Sequence, residues 1–307
     1  MKAKRNKTID TPLSEGQHFL ERCLRLVEPL PLAELSNQVI WGDSFEVLPL
    51  LPPRSMDLIV VDPPYNLRKE YAGQTFSKLK AQRYAEYTQA WLQLVVPLLK
   101  EGGSLYLCCD WESGLTVGPL LGQYLKIRNR ITWQREKGRG ANRNWKNGLE
   151  DIWFATQGEE YTFNLEAVKC RRRVLAPYRH QGLPKDWQET EGGRYRDTCP
   201  SNLWDDITVP FWSMAENTAH PTQKPEKLLA KLILASSNPG DLVFDPFLGS
   251  GTTCVVAKKL GRRYLGIEKS SQYCLWAQER LERAAQDPTI QGYTQGIFWE
   301  RNTLPPS

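Results

Sequence analysis

The chain has 307 residues and a formal net charge of +5 at pH 7, and this length can bury a substantial core as one large α/β domain with an inserted lobe or as two small domains. Seven cysteines that form no CxxC pair, together with only three histidines, argue against a zinc site and a disulfide framework and favour a reducing cytoplasm. The longest apolar stretches are too short to span a bilayer, so we expect a soluble protein with no membrane partner.

Residues 1–36 predict an N-terminal helical arm. Basic residues come first, and Ser14 is followed three residues later by Gln17, which is the signature of a capping box. Apolar residues then recur at helical spacing from Phe19 to Val27. We expect a helix that packs on the main domain, with an arm that touches nucleic acid as the alternative.

From residue 37 to residue 156 the pattern alternates between strands and helices, which predicts a mostly parallel sheet. Strands are predicted at residues 38–41, 56–61, 104–109 and 151–155, and a helix over residues 84–100 that ends at two glycines. The polar segment at residues 66–83 predicts a mobile loop.

The second strand leads into a turn of four residues, Asp62, Pro63, Pro64 and Tyr65. The turn brings together a carboxylate, a backbone carbonyl and an aromatic ring. Each proline fixes φ and lacks an amide hydrogen, so the turn holds a carboxylate and an aromatic ring beside an unpaired carbonyl. Open α/β sheets bind their ligands at the carboxyl ends of strands. A planar base on Tyr65 would donate its amino hydrogens to Asp62 and to the Pro63 carbonyl.

Residues 126–148 contain eight Lys and Arg against one acid. Glycines and asparagines in the second half of this segment predict a loop. We expect the loop to bind phosphates through Lys137, Arg139 and Arg143, with Trp145 available to stack on a base. An ordinary solvated loop is the alternative.

The alternation of strands and helices disappears between residues 157 and 218. Aromatic and aliphatic residues there can make a small core, which predicts an inserted lobe of irregular structure. Its consecutive Arg171, Arg172 and Arg173 are candidates for contact with nucleic acid, to bases or to phosphates.

Strands and helices resume after His220, with helices predicted at residues 225–236, 251–260 and 270–285 and strands at 242–244 and 263–267. The tail from residue 287 carries no strong signal.

A loop between strand and helix holds Asp245, Phe247, Gly249, Gly251 and Thr252. Its glycines let the backbone approach a ligand, and the free N–H groups of the helix N-terminus face it. Glu268 ends the next strand, where a carboxylate can accept the hydroxyls of a ribose.

An Asp-Pro-Pro-Tyr turn before an insertion and a Phe-x-Gly-x-Gly loop after it resemble the β class of amino-methylating DNA methyltransferases that use S-adenosylmethionine. The resemblance covers residues 37–285. It implies a Rossmann-like methyltransferase fold, in which a mostly parallel seven-stranded twisted sheet carries helices on both faces. The catalytic half would span residues 37–156, the target-recognition region 157–218 and the cofactor-binding half 219–286.

The resemblance also assigns roles to residues. Asp62, Pro63, Pro64 and Tyr65 match the catalytic tetrad. In the implied cofactor site, Asp43 would face the adenine, Glu268 would bind the ribose, and Thr222 and Lys224 would lie near the methionine. The glycine loop would contribute Asp245, Phe247, Gly249 and Gly251, and the start of the following helix Thr252.

These features imply transfer of a methyl group from S-adenosylmethionine to the exocyclic amine of a base flipped out of double-stranded DNA. Adenine N6 is favoured, because Asp at the first tetrad position is more usual for adenine, and cytosine N4 stays open. An RNA or protein-glutamine methyltransferase and a DNA-binding protein without turnover are the alternatives. A dehydrogenase would leave the tetrad unexplained, and no cysteine follows a proline as carbon-5 methylation of cytosine would require. A cognate restriction endonuclease is a candidate partner, and the oligomeric state stays open.

Overall fold

The computed structural model describes residues 5–66, 69–71, 74–76, 78–135, 143–175, 178–190 and 193–301. Within these ranges the α-helices are α1 Gln17–Leu20, α2 Leu32–Leu35, α3 Ser44–Val47, α4 Ala81–Val95, α5 Trp111–Leu121, α6 Glu226–Ser236, α7 Thr252–Lys259 and α8 Ser271–Gln286. Short 3-10 helices lie at Leu48–Leu50, Val96–Leu98 and Leu165–Val168. No helix in the described ranges is long and apolar enough to cross a membrane.

The strands are β1 Gln38–Trp41, β2 Met56–Val61, β3 Lys69–Tyr71, β4 Gln74–Phe76, β5 Leu99–Cys109, β6 Lys126–Gln134, β7 Leu149–Thr156, β8 Cys170–Arg173, β9 Arg179–His180, β10 Leu183–Pro184, β11 Gln188–Thr190, β12 Gly193–Thr198, β13 Leu203–Trp204, β14 Leu242–Asp245, β15 Arg263–Glu268, β16 Tyr293–Thr294 and β17 Ile297–Trp299. The three longest strands, β5, β6 and β7, all belong to the main sheet.

The main sheet has the strand order β1-β15-β14-β2-β5-β7-β6-β13. Neighbours from β1 to β5 are parallel, and β7 runs antiparallel to both β5 and β6. The expected mostly parallel sheet is therefore confirmed. It has eight strands rather than seven, because the two residues of β13 leave the inserted region and pair with the edge of β6.

Both faces of this sheet are buried, which explains why its central strands are nearly continuous apolar runs. Leu58 and Val60 of β2 pack into a core with α6 and α7. Their alternating neighbours Ile59 and Val61 pack into a second core with α4 and α5. Helices thus cover the two faces as expected, and the carboxyl ends of the parallel strands stay open at one edge.

Three predicted elements between residues 66 and 121 differ from the structure. The predicted mobile loop contains the antiparallel hairpin β3–β4. The predicted helix over 84–100 ends at Val95, because Pro97 has no amide hydrogen to donate to the carbonyl four residues earlier, and the chain enters a 3-10 turn and then β5. The two glycines expected to end the helix lie inside β5. Helix α5 was not predicted; its N-cap is Asp110, whose side chain accepts a hydrogen bond from the backbone N–H of Ser113.

The N-terminal arm packs on the main domain as expected, but the capping box is wrong. The helix is the four-residue α1, and its N-cap is Gly16, which makes no side-chain cap. A Cβ at Gly16 would lie 2.4 Å from a side-chain carbon of Leu275 in α8. Close packing of the two helices therefore selects a glycine at this point, and Phe19 and Leu20 are buried.

The region from 157 to 218 contributes a second sheet with the order β11-β12-β8-β17-β16. Its last two strands come from the C-terminal segment, where no element was predicted. Phe298 of β17 is fully buried, and Lys227 and Lys231 of α6 form buried ion pairs with Asp206 of the insertion. The insertion, the C-terminal segment and α6 are thus packed together.

Candidate active site

The catalytic turn and the glycine loop lie side by side at the carboxyl ends of adjacent parallel strands. Asp62 follows β2, and Asp245 ends its neighbour β14. Both line one cavity of about 560 Å³, which Gly249 and Glu268 also line. Two segments about 180 residues apart along the chain therefore form a single site, of the volume that proteins use for small ligands and cofactors.

Asp62 accepts hydrogen bonds from two groups of the chain itself. The Tyr65 hydroxyl donates to Oδ1 at 2.9 Å, and the Lys224 ammonium donates to Oδ2 at 2.6 Å. The Asp62 side chain is 24% exposed and faces the cavity, whereas Lys224 is buried beside it. Pro63 and Pro64 line the same cavity. The predicted catalytic tetrad is thus brought together with a lysine that the sequence placed in the predicted cofactor half.

A second carboxylate, Glu150 of β7, stands behind this pair. Its Oε2 lies 3.5 Å from the Lys224 ammonium and 3.4 Å from the Tyr65 hydroxyl, and its Oε1 accepts from Arg135. The sequence interpretation missed Glu150 and its contact with Lys224. The only local signal was an acid at the start of a strand whose later residues are apolar.

Burial and the two neighbouring carboxylates together set the protonation of Lys224 and Tyr65. Burial alone would lower the pKa of Lys224, but Asp62 and Glu150 together raise it above its usual value. Burial, followed by the negative charges of Asp62 and Glu150, raises the pKa of Tyr65 well above its usual value. At neutral pH the lysine is therefore charged, and the tyrosine keeps its proton and donates it to a carboxylate.

Two glycines of the loop adopt left-handed backbone conformations, Gly249 with φ 56° and Gly251 with φ 89°. A Cβ on Gly249 would lie 3.2 Å from Nε2 of His220, and one on Gly251 would lie 2.7 Å from the Cβ of Ala277. The loop therefore packs tightly against the His220 segment on one side and α8 on the other, so glycine is needed for both conformation and space.

The carboxylates of Glu268 and Asp245 accept hydrogen bonds from the glycine loop and from residues next to it. Glu268 accepts the backbone N–H of Gly249 at 2.8 Å and that of Ser270 at 2.7 Å. Asp245 accepts from Phe247 N at 3.0 Å and from the Thr253 hydroxyl at 2.6 Å. Burial raises the pKa of Glu268 and that of Asp245 to about 7 each.

Gly251 does not line the cavity, whereas the remaining predicted cofactor residues do. Asp43 caps α3 by accepting from Phe45 N, and it accepts from Lys269 at 2.8 Å. The Thr252 hydroxyl donates to the carbonyl of Lys224 at 3.1 Å. Thr222 and Phe247 complete the set. Lining residues that the sequence interpretation did not single out are Ser44, Phe45, Tyr87, Gln223, Ser250, Lys269 and Tyr273.

This lining fits an adenosyl ligand with a charged methionine end. Asp43 and Glu268 present carboxylates to hydroxyl and amino hydrogens, and the rings of Phe45 and Phe247 offer apolar surface. Gly249 lets the backbone approach a ligand closely. The donor and acceptor set is that of a nucleoside site.

Those residues predicted to contact nucleic acid that the structure describes lie outside the cavity. Lys137 and Arg139 fall outside the described residues, whereas Arg143 and Trp145 are described and exposed, with Trp145 90% accessible. The first half of the basic segment is less basic than its composition indicates, because its cations form ion pairs with acids. The pairs are Lys126 and Arg128 with Glu159, Arg130 with Asp151, and Arg135 with Glu150.

The three arginines of the insertion form part of β8. Arg171 makes a bidentate ion pair with Asp197, at 2.7 Å for each bond. Arg172 lies 4.0 Å from both Asp205 and Glu300, and Arg173 is exposed. Arg171 is thus already held by an acid of its own chain, and Arg173 is the most accessible of the three.

Comparison with known proteins extends over both halves of the site. The family model described as DNA methylase matches residues 56–279. Type II methyltransferase M.HpaI of Haemophilus parainfluenzae is 34% identical over 251 residues, which cover 81% of this chain and 75% of the relative. DNA adenine methyltransferase YhdJ of Escherichia coli strain K12 is 34% identical over 265 residues, covering 84% and 87%.

A solved structure, the M1.HpyAVI complex with S-adenosylmethionine, has the same fold. Its TM-score is 0.52 at 24% identity, and the match covers 80% of this chain and 99% of that chain. The family match begins at β2 and ends in α8, so it includes the catalytic turn, the insertion and the glycine loop. The chain therefore belongs to the DNA methylase family, the S-adenosylmethionine-dependent enzymes that methylate amino groups of DNA bases.

Proposed function

We propose that this enzyme methylates the N6 amino group of adenine within a specific sequence of double-stranded DNA. The observation that carries the proposal is the convergence of the Asp62 carboxylate and the Gly249 loop in one cavity. The choice of adenine is supported by Asp62 at the first tetrad position and by the similarity to YhdJ, which is named a DNA adenine methyltransferase. Cytosine N4 is the second candidate.

In this proposal Asp62 and the Pro63 carbonyl accept the two hydrogens of the target amine. The amine lone pair is conjugated with the base, and these acceptors let the nitrogen become pyramidal and direct its lone pair at the methyl group. S-adenosylmethionine supplies an electrophilic methyl carbon on a sulfonium sulfur. The nitrogen would bond to that carbon while the sulfur keeps the electron pair of the broken carbon–sulfur bond, and Asp62 would accept one proton from the nitrogen and pass it to solvent.

The carboxylate of Asp62 contributes most in the transition state, because positive charge develops on the nitrogen next to it. Positioning of the amine in line with the methyl group supplies the orientation. Tyr65 would stack on the flipped base, a contact that contributes about 1–3 kcal/mol in comparable base–aromatic pairs. Asp43, Glu268 and the Gly249 loop would bind the cofactor.

Recognition of the DNA sequence would fall to the insertion at residues 157–218, together with the exposed loop that carries Arg143 and Trp145. The hairpin β9–β10 supports this assignment, because all residues from Tyr178 to Lys185 are exposed and include cations. A two-stranded ribbon of this kind fits the major groove. The similarity to M.HpaI, named a type II methyltransferase, supports a cognate restriction endonuclease as partner.

The test is methyl transfer from tritiated S-adenosylmethionine to unmethylated bacterial DNA, with total RNA and a protein lysate offered in parallel. After digestion to nucleosides, the label is expected in N6-methyl-2′-deoxyadenosine of the DNA sample. Label in N4-methylcytosine would replace the proposed base, and label in RNA or protein alone would overturn DNA as the substrate. The Asp62→Ala protein serves as the inactive control.

A further inference from the structure

Both oxygens of the proposed amine acceptor are engaged before a base arrives. Tyr65 donates to Oδ1 of Asp62 and Lys224 donates to Oδ2. The lysine carries a full positive charge at 2.6 Å and so neutralises the carboxylate. A neutralised carboxylate stabilises a developing cation poorly, and the ammonium itself repels the positive charge that forms on the amine.

The same two donors have a second acceptor within reach. Oε2 of Glu150 lies 3.4 Å from the Tyr65 hydroxyl and 3.5 Å from the Lys224 ammonium. Both distances exceed those to Asp62, so Glu150 is the weaker partner in this state. A displacement of the lysine ammonium by about an ångström would reverse that order, so that the lysine exchanges one acid partner for the other.

The surroundings of Glu150 suit it to this role. Arg135 holds Oε1 and so fixes the side chain with Oε2 toward Lys224. Glu150 is 6% exposed, so bulk water does not replace it as an acceptor. Asp62 and Glu150 balance the charges of Lys224 and Arg135, and after transfer of the lysine to Glu150 the acid left without a cation is Asp62, the one that faces the cavity.

The lysine is attached so that its ammonium can move while its backbone stays. The Thr252 hydroxyl holds the Lys224 carbonyl at 3.1 Å, and Arg280 in turn donates to that hydroxyl at 2.8 Å. The four-carbon side chain can therefore change its torsion angles while the Lys224 backbone stays in place. Both acids raise the pKa of Lys224, so the ammonium is charged in the position seen here, within reach of both carboxylates.

We propose that Glu150 is a positioning residue that draws the Lys224 ammonium away from Asp62 when the target base enters, and so restores the negative charge of Asp62 for the amine. This inference rests on the proposed function, because it concerns the same methyl transfer. It assigns a role to a side chain outside the catalytic tetrad and the glycine loop.

The test is a double-mutant cycle on single-turnover methyl transfer to unmethylated bacterial DNA, using Glu150→Gln, Lys224→Met and the double variant. Glu150→Gln is expected to slow the rate by about tenfold or more, less than the 10²–10³ lost when a group that stabilises the reacting atoms is removed. Affinity for S-adenosylmethionine should stay unchanged. With Lys224→Met in place, Glu150→Gln should have little further effect, because Glu150 acts through the lysine.

Asp57→Asn is the matched control. Asp57 is also a strand carboxylate that pairs with a lysine, Lys100, and the substitution likewise converts it to an amide, but Asp57 does not line the cavity. The substitution should leave the rate unchanged while thermal unfolding reports any loss of stability. Should Glu150→Gln not fold, Glu150→Asp, which keeps a charge for Arg135 but withdraws it from Lys224, decides by the same rate measurement.

The outcomes separate two failures. Equal rates for the unaltered protein and the Glu150 variant, or independent effects of Glu150→Gln and Lys224→Met, would overturn the positioning role and leave the proposed function standing. Absence of label in DNA with the unaltered protein would overturn the proposed function, and this inference with it.

Discussion

At the scale of single residues, the proposed chemistry depends on the charge of one carboxylate at the end of a strand, that of Asp62. Asp62 is half-buried, faces the cavity and holds one tyrosine and one lysine. Because most of its effect falls on the transition state, its loss should reduce turnover far more than ligand binding.

Asp62→Ala is therefore expected to lower the single-turnover rate by about 10²–10³ or more while affinity for S-adenosylmethionine is retained. The rate is measured by transfer of tritiated methyl to DNA and the affinity by calorimetry. An unchanged rate would remove Asp62 as the amine acceptor. Asp57→Asn controls for the general loss of a carboxylate on β2.

Glu268 gives the site a pH dependence. Burial raises the pKa of this carboxyl to about 7 in the ligand-free protein, so it is increasingly protonated below that pH. Ribose hydroxyls donate best to the ionised form. Affinity for S-adenosylmethionine should therefore rise as the pH increases through about 7, and Glu268→Gln should bind weakly at every pH. A calorimetric titration from about pH 5.5 to about pH 8.5 in which both proteins behave alike would contradict the assignment.

The same pKa bears on the stability of the free protein. A folded-state pKa above the ordinary value means that the folded chain binds the proton more tightly than the unfolded chain. The contribution of Glu268 to the free energy of unfolding is therefore fully present below about pH 4.5 and is lost as the pH rises through about 7. Bound cofactor that donates to the carboxylate would reverse this loss.

At the scale of elements, the glycine loop joins β14 to α7 through conformations that only glycine adopts easily. Gly251 is the N-cap of α7 and packs against α8. A Cβ added at Gly251 would meet the Cα and Cβ of Ala277, and these atoms cannot change rotamer to make room as a long side chain could.

Gly251→Ala is expected to lower the free energy of unfolding by several kcal/mol and to weaken cofactor binding, because it adds about 1–3 kcal/mol of overpacking to the cost of positive φ. Gly240→Ala is the matched control, since Gly240 has a similar φ of 84° and no atom within 4 Å of an added Cβ. Denaturant unfolding of the two variants isolates the steric part. Equal losses would show that only the backbone conformation matters.

The sequence predicted those elements whose cause is local, such as the apolar runs of β2, β14 and β15 and the motifs at their ends. It placed the end of α4 and the start of β5 wrongly, because Leu99 extends the strand by pairing with Met56 of β2. The contact of Lys224 with Asp62 spans 162 positions and leaves no trace in local spacing. Strand pairing and ion pairs over such distances depend on the folded chain.

At the scale of the whole molecule, the site lies on a rigid sheet, and the parts proposed to read DNA lie around it. The C-terminal strand β17 pairs with β8 of the insertion, and buried Asp206 binds Lys227 and Lys231 of α6. The second sheet is thus fixed to a helix that packs on the main sheet, which would hold recognition and catalysis in one geometry.

Positive charge on this surface is not evenly available to DNA. In the basic segment at residues 126–148, Lys126 and Arg130 form ion pairs with Glu159 and Asp151. Arg143 and Lys146 are exposed, and no described residue forms an ion pair with either. A cation already paired within the protein releases fewer counterions from DNA than an unpaired one.

Arg143→Gln combined with Lys146→Gln should therefore weaken binding to DNA of any sequence and lower the slope of log affinity against log salt by about 1.8, or about 0.9 for each phosphate that the protein no longer neutralises. The matched variant Lys126→Gln with Arg130→Gln removes the same charge from the same segment and should change the slope less. Fluorescence anisotropy with a labelled duplex over a range of salt concentrations measures both. Equal slopes for the two double variants would mean that net charge alone, and not the exposed loop, governs binding to the DNA backbone.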